Sequence, residues 1–115
     1  MVALREVYLF HLLKRLEQLK VKSAIIFVGT VKGCQLMEFL LDELNVKALA
    51  LHSKQPQRRR LANLDKFRGG MATILVATDV AARGIDIPAV GVVINHSVPA
   101  LPRDFIHRCG RTARA

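Results

Sequence analysis

The sequence predicts an α/β fold in which a parallel sheet carries helices on both faces. Short, continuous apolar runs rich in β-branched residues alternate with longer segments of helical periodicity. A pair of mostly polar residues follows each apolar run, where a loop would leave the strand. Strands that alternate with helices are joined by crossovers and therefore run parallel. At 115 residues, the chain is long enough to bury the core of one such domain.

A helix and a buried strand open the chain. Leucines recur at helical spacing from Leu9 to Leu19, which predicts an amphipathic helix over about residues 4–20. The apolar run Ala24–Val28 predicts the first strand, buried on both faces, and the pair Gly29-Thr30 follows it.

A second helix and a second strand come next. Apolar residues from Met37 to Leu44 form a helical stripe, and Asn45 is a suitable residue to end that helix. Residues 46–51 predict the second strand, which leads into the pair His52-Ser53.

The third helix is predicted to have Pro56 in its first turn and Gly69-Gly70 at its end. Leu61, Leu64 and Phe67 form its apolar side. The third helix should therefore cover one face of the sheet.

Two more buried strands complete the sheet, at residues 73–77 and 92–95, and a last short helix is predicted near Pro102. Thr78-Asp79 and His96-Ser97 follow these strands. Ligands of such sheets bind beyond the carboxyl ends of the strands. The four residue pairs therefore predict one functional edge.

The charge balance favours an anionic partner. Lys and Arg number 18 against 9 acidic residues, a net charge of +9, which favours nucleic acid over a membrane surface. No apolar run approaches the ~20 residues of a membrane-spanning helix. Arg5 and Glu6 interrupt the first apolar stretch, so we expect no signal peptide there. Because the 2 cysteines and 4 histidines are scattered, we expect free thiols and no metal site.

Residues 107–114 are the most informative segment, because arginines recur there among polar residues. The planar guanidinium binds phosphate oxygens in pairs. Arg111 and Arg114 lie three apart, so on a helical turn they share one face that could hold a phosphate chain. The alternative is a basic, solvated tail, which Gly110 and Thr112 disfavour because they interrupt the charge run.

Residues 77–88 form the second informative segment, which leaves a buried strand through small residues. The Thr78 hydroxyl suits a phosphate oxygen, and the small residues up to Gly84 let backbone amides approach a ligand. Asp86 could accept hydrogen bonds from ribose hydroxyls. Helix capping is the alternative role of Thr78 and Asp79.

A third basic segment, residues 58–60, begins a helix at the same edge, where an anion would be stabilised. We interpret Arg58 and Arg59 as solvated charges.

In this order, the segments resemble the second RecA-like domain of a DEAD-box RNA helicase. Residues 107–114 resemble motif VI of that family, residues 78–86 its motif V, and Ala24–Val28 its motif IV. Residues 52–67 have the spacing of its Gln-x-x-Arg motif. The resemblance covers essentially the whole chain and implies a RecA-like parallel sheet.

The resemblance also implies the residues of a nucleotide site. Arg111 and Arg114 would be the catalytic arginine fingers at the γ-phosphate of ATP. Asp86 would bind the ribose, and Gly84 would lie near the phosphates.

Further roles concern RNA and the partner domain. The resemblance implies that Thr30, Arg60 and Thr78 contact the RNA backbone. His107 would couple the ATP site to the first RecA-like domain. That domain and RNA are therefore the implied partners, whereas the oligomeric state stays open.

The implied activity is that of an ATP-dependent RNA helicase in the full-length protein, with ATP and Mg²⁺ as cofactors. The phosphate loop and the Asp-Glu-Ala-Asp segment belong to the family's first domain, and this sequence contains neither. We therefore expect the metal ligands on that first domain and no ATPase activity in this chain alone. The family continues with another strand and helix, so we expect residues 1–115 to be a helicase C-terminal domain truncated at its C-terminus.

Within the family, residues 94–96 and 111–115 look most like the subgroup that serves small-subunit ribosome biogenesis. That subgroup implies an intracellular protein of the nucleus or nucleolus. Three positions depart from the family pattern: Ser53 and Ala113 replace frequent glycines, and Cys109 replaces an aliphatic residue.

Two alternative functions stay open. A DNA helicase or translocase of the same superfamily is disfavoured by His107, since the equivalent segment there usually begins with glutamine. A non-catalytic RNA-binding scaffold module would need only the basic charge. The finger arginines and Asp86 disfavour it, because simple RNA binding requires none of them.

Overall fold

Four parallel strands form one sheet in the computed structural model, which describes residues 4–83, 87 and 89–96. The strands are β1 (Ala24–Val28), β2 (Ala48–Leu51), β3 (Ile74–Thr78) and β4 (Val92–Asn95). The helices are α1 (Leu4–Gln18), α2 (Val31–Glu43), α3 (Gln57–Arg68) and α4 (Asp79–Ala82). The strand order is β2-β3-β1-β4. The predicted parallel α/β fold is confirmed, and the predicted helix near Pro102 lies outside the described residues.

Both faces of the sheet are covered, because alternate residues of each strand point to opposite sides. On one face, Ile25, Phe27 and Leu75 pack in a core with residues of α3 and α4. On the other face, Ile26 and Val76 pack with residues of α1 and α2. The two cores explain why the strands are continuous apolar runs, as the sequence analysis expected.

The three long helices end in the same way. Lys20, Asn45 and Gly70 adopt positive φ angles of 60°, 60° and 80° just after α1, α2 and α3. In each case the next amide donates to a carbonyl five residues earlier: Val21 to Leu16, Val46 to Leu41 and Met71 to Lys66, at 3.0, 2.8 and 3.0 Å. This is the Schellman arrangement. It explains why β2 begins at Ala48 and not at residue 46 as predicted, because Val46 completes the end of α2.

The apolar face of α3 differs from the prediction. Leu64 and Phe67 are buried, but Leu61 is 46% exposed and its predicted core position is wrong. Asn63 is buried instead. The inward positions of α3 are therefore 60, 63, 64 and 67, a spacing that includes two polar side chains. Pro56 is the N-cap of α3 and precedes its first turn.

Two side-chain amides donate hydrogen bonds to one backbone carbonyl of the outer strand β2. The carbonyl of Ala50 accepts from Gln55 Nε2 at 3.1 Å and from Asn63 Nδ2 at 2.8 Å. Exposed carbonyls on an edge strand are sites for pairing with another chain. The two amides occupy this carbonyl and also join β2 to the loop before α3 and to α3 itself.

Two further observations bear on the sequence analysis. None of the described helices is long and apolar enough to cross a membrane. Cys34 is a buried, free thiol whose Sγ lies 3.4 Å from the carbonyl oxygen of Val76. The expectation of a free thiol is confirmed for Cys34.

The Cys34 thiol predicts a pH dependence of stability. Burial raises its pKa from 9.0 to about 11. As the pH rises, the unfolded chain therefore loses this proton first. The free energy of unfolding should fall as the pH rises from 9.0 to about 11, and at pH values well below 9.0 the contribution of the protonated thiol to stability is fully present. Between about pH 8 and about pH 10.5, we expect the free energy of unfolding of the parent chain to fall by roughly 2 kcal/mol more than that of Cys34→Ala. Urea unfolding of the parent and Cys34→Ala at both pH values measures this, because the two proteins differ only at residue 34. An equal pH response would contradict the prediction.

Candidate functional site

The polar pairs that follow the strands meet at one edge of the sheet. Leu51 is in register with Ala77, Val28 with Thr78, and Phe27 with Asn95. The residues after these positions therefore follow neighbouring strand ends in the order of β2, β3, β1 and β4. Neighbouring strands lie about 4.8 Å apart, so the first three ends span about 10 Å. The prediction that these strand ends meet at one edge is confirmed, and the function of that edge stays a prediction.

Thr30 is the N-cap of α2 and is exposed. Its Oγ1 accepts from the amide of Gly33 at 2.9 Å. A Cβ at Gly33 would lie 3.1 Å from that oxygen, so glycine gives the hydroxyl its room. A hydroxyl has one donor and two acceptor positions. Accepting from Gly33 therefore fixes the oxygen and leaves the O–H available to a phosphate.

Thr78 is the N-cap of α4. Its Oγ1 accepts from the amide of Ala81 at 3.4 Å, and only 5% of the residue is exposed. The capping role that the sequence analysis weighed as the alternative is thus present. Because the residue is buried, its hydroxyl offers RNA far less surface than that of Thr30. RNA contact by Thr78 stays a prediction.

Arg60 lies in the first turn of α3 and is half-buried. Its amide donates to the carbonyl of Pro56 at 3.1 Å. Its side-chain Nε is closed off from solvent and has no hydrogen-bond partner. Arg58 and Arg59 are exposed, as expected for solvated charges. Arg60 therefore differs from its two neighbours in burial, and its functional role stays a prediction.

His52 lies at the end of β2 and is 5% exposed. Its amide donates to Gln55 Oε1 at 3.1 Å, and its ring Nδ1 is buried without a hydrogen-bond partner. Burial lowers the pKa of His52, Arg59 and Arg60 lower it further, and Glu38 opposes them. The imidazole is therefore held neutral beside cationic side chains.

The sequence analysis missed Gln55 and Asn63. Both side chains bind the Ala50 carbonyl, and Gln55 also accepts from the His52 amide. Asn63 could have been found from the 60, 63, 64, 67 spacing of the inward face of α3. Gln55 carries no such signal, since its role depends on the turn after β2.

The predicted nucleotide residues Gly84, Asp86, Arg111 and Arg114, and the predicted interdomain residue His107, lie outside the described residues. Ala82 and Ile87, on either side of residues 84–86, are fully buried in the core beneath α3. The described residues bring Thr30, Arg60 and Thr78 to one edge.

Basic residues cluster on that edge. They follow β1 and β2 or begin the next helix: Lys32, Lys54, Arg58, Arg59 and Arg60. A basic surface beside hydroxyl groups is suited to a phosphate backbone.

Residues 7–115 match the family model of the helicase conserved C-terminal domain. The chain belongs to this family. The resemblance of this helicase C-terminal domain to DEAD-box RNA helicases is confirmed by its relatives. It is 52% identical over 111 residues to the DEAD-box ATP-dependent RNA helicase 36 of Oryza sativa, a match that covers 96% of this chain and 22% of the relative.

Two solved structures show the same fold. The Escherichia coli DEAD-box protein SrmB, bound to the regulator of ribonuclease activity A, gives a TM-score of 0.85 at 35% identity and covers 96% of this domain and 63% of that chain. Helicase domain 2 of the DEAD-box protein Mss116p, bound to an RNA duplex, gives a TM-score of 0.80 at 36% identity, with 96% and 45% covered. The predicted RecA-like fold is confirmed. The helicase C-terminal domain spans about 22% of the length of the rice relative.

Proposed function

We propose that this domain is the second RecA-like domain of an ATP-dependent RNA helicase, in which it binds the RNA backbone and supplies arginine fingers. The observation that carries the proposal is the placement of Thr30, Arg60 and Thr78 at neighbouring strand ends on a basic edge. The likeness to Mss116p domain 2, which was solved with an RNA duplex, supports RNA as the ligand.

The chemistry of the edge favours the backbone of RNA over its bases. Threonine hydroxyls and arginine guanidinium groups bind phosphate oxygens and carry no sequence information. Sequence-tolerant base stacking would require aromatic side chains. Among the residues that the structure describes, none of the loops after the strands carries a Phe, Tyr or Trp. We therefore propose that RNA is held with little preference for sequence.

The nucleotide part of the proposal rests on sequence. Gly84, Asp86, Arg111 and Arg114 are the proposed contacts of this domain with ATP, and His107 is the proposed link to the first RecA-like domain. ATP, bound with Mg²⁺, would supply the phosphoryl group, which would pass from ADP to water in the helicase cycle. The proposed first domain holds most of that nucleotide and all of the metal ligands, while the arginines of this domain stabilise charge on the transferred group.

A narrower assignment concerns the cellular role. We propose that the full-length protein acts in small-subunit ribosome biogenesis in the nucleolus, on the resemblance of residues 94–96 and 111–115. Co-sedimentation of the full-length protein with precursors of the small subunit would support this. Its absence from those fractions and from the nucleolus would contradict it.

The proposal predicts salt-sensitive RNA binding by this chain. With several phosphates neutralised, the logarithm of affinity for a fluorescent uridine oligomer should fall linearly with the logarithm of salt concentration, by about 0.7 for each contact. Arg60→Ala should weaken binding and make that slope shallower by about 0.7. Fluorescence anisotropy over a salt series measures both quantities.

Arg58→Ala is the matched control, because it removes the same charge two residues away from an exposed position. It should change affinity less than Arg60→Ala. Equal effects of the two substitutions would show a diffuse basic surface without a specific role for Arg60. Affinity independent of salt, or a strong preference for one base sequence, would contradict backbone binding.

A further inference from the structure

Two buried polar atoms of complementary type lie unpaired near the end of β2. Nδ1 of His52 and Nε of Arg60 are both closed off from solvent without a hydrogen-bond partner. A neutral imidazole has one acceptor nitrogen, whereas the arginine Nε–H can only donate. Buried polar groups are nearly always hydrogen-bonded, so two such atoms near the same strand end require an explanation.

We infer that His52 is a positioning residue for RNA binding: the two atoms are not bonded to each other in this structure, but side-chain rotation would let the neutral Nδ1 accept the Nε–H of Arg60, and protonation of the ring would release that arginine. The inference rests on the proposed RNA contact of Arg60. It adds to that contact a residue that controls the direction of the guanidinium and makes RNA binding depend on pH.

The geometry of arginine explains why this pairing helps RNA binding. The guanidinium has five N–H donors in a fixed plane. When Nε–H is bonded to His52, the terminal amino groups keep the donors that can bind phosphate oxygens in pairs. A guanidinium held in one direction also loses less rotamer freedom when RNA binds.

The backbone near His52 is fixed independently of this contact. The His52 amide donates to Gln55 Oε1, and the Gln55 amide donates to the His52 carbonyl at 3.2 Å. Gln55 and Asn63 both donate to the Ala50 carbonyl, which joins α3 to β2. The ring and the first turn of α3 are therefore carried by one connected network, which is the support that a positioning residue needs.

Burial, more than the charges around it, keeps the His52 ring neutral. Three charged side chains act electrostatically on the ring: Arg59 and Arg60 on α3, and Glu38 on α2. Burial lowers the pKa of His52 below its ordinary value of 6.5, with a further contribution from the two arginines against Glu38. A proton on the ring would remove the acceptor from Nδ1 and place a third positive charge beside Arg59 and Arg60. Arg60 would then turn away from His52.

The sign of the pH effect separates this role from simple electrostatics. A histidine that only adds charge near RNA strengthens binding when it is protonated. A histidine that positions Arg60 weakens binding when it is protonated. Loss of affinity at low pH is therefore specific to positioning.

The first test measures the affinity of the 115-residue chain for a uridine oligomer at about pH 8 and at a lower pH at which the NMR titration of His52 shows the ring protonated. Glutamine at position 52 keeps an acceptor and has no titrating ring. We expect His52→Gln to bind like the parent at the higher pH and threefold to tenfold more tightly than the parent at the lower pH, on the order of one lost hydrogen bond. His11→Gln, on the exposed side of α1, is the control and should follow the parent at both pH values.

The second test removes the acceptor. We expect His52→Leu to weaken binding at both pH values about as much as Arg60→Ala, and the double variant to be no weaker than either single one, since the two residues act as a pair. Additive losses, or a parent that binds as His52→Gln does at the lower pH, would overturn the inference.

A third measurement does not depend on RNA. In ¹⁵N NMR spectra of the chain alone, the Arg60 Nε–H resonance should exchange slowly with water, shift as His52 titrates, and stop shifting in His52→Gln. An Arg60 resonance that ignores the titration of His52 overturns the inference even if RNA binds. If no variant binds RNA but the resonance behaves as expected, the proposed RNA contact fails while the His52–Arg60 pairing holds. If His52→Leu does not fold, His52→Gln decides in both measurements.

Discussion

Arg111→Ala or Arg114→Ala in the full-length protein is expected to lower the kcat of RNA-stimulated ATP hydrolysis about 10³-fold or more. An arginine finger binds charge that develops on the transferred phosphoryl group. Its loss should therefore affect kcat far more than the affinity for ATP. Lysine at either position should restore little activity, because a point charge does not reproduce the two-pronged geometry of guanidinium. Steady-state kinetics at saturating RNA measure these effects.

Arg58→Ala controls for the loss of one positive charge and should leave kcat nearly unchanged, since Arg58 is an exposed residue on α3. Thermal melts of all variants exclude unfolding as the cause. If Arg111→Ala and Arg114→Ala fold and keep the parental kcat, the C-terminal segment is a solvated basic tail. The 115-residue chain alone serves as the blank and should release no phosphate from ATP.

Phe27→Ala is expected to lower the free energy of unfolding by about 3–5 kcal/mol. Phe27 is 0% exposed in β1, which lies between β3 and β4, and it packs in the core beneath α3. Truncation would leave a cavity that the fixed strands cannot close. Because a small domain has a total stability of about 5–15 kcal/mol, the variant should be close to unfolding at room temperature.

Phe39→Ala is the matched control. It removes the same side chain from α2, where Phe39 is 63% exposed, so its effect should stay within about 0.5 kcal/mol. Urea unfolding followed by circular dichroism compares the two variants. Equal destabilisation by both would show that the described core does not hold the fold together.

The sheet could be predicted from sequence because burial on both faces leaves a direct record in composition. Ala24–Val28 was found at its observed bounds, since the whole run is buried. Val92–Asn95 was also found at its observed bounds, but its predicted burial is wrong, because residues 92–94 are half-buried and Asn95 is exposed. The start of β2 could not be predicted, because Val46 contributes its amide to the end of α2. The helical periodicity predicted that Leu61 is buried. Asn63 is buried instead, because its side chain donates a hydrogen bond to the outer strand.

The sequence allowed us to predict which residues lie at the candidate site, but not the contacts that they make. Thr30, Thr78 and Arg60 were placed at one edge by chain order and by family resemblance. The capping bond of Thr78 and the shielding of Arg60 Nε arise from neighbours that only the folded chain brings close. Gln55 has no pattern in the sequence because its partners, His52 and Ala50, lie in the turn and strand just before it. Arg111, Arg114, Gly84, Asp86 and His107 stay predictions.

The three Schellman turns all precede a strand and therefore lie at the amino end of the sheet, away from Thr30, Arg60 and Thr78. Among the described residues, the chain reversals with a left-handed residue are thus separated from the loops of the candidate site. A loop graft could replace the segments after β1 and β2 with those of another helicase domain without altering any residue of positive φ. The sheet could accept the loops of another domain, provided that residues 52–55 and Asn63 are transferred together, since they form the hydrogen bonds around the His52 amide and the Ala50 carbonyl.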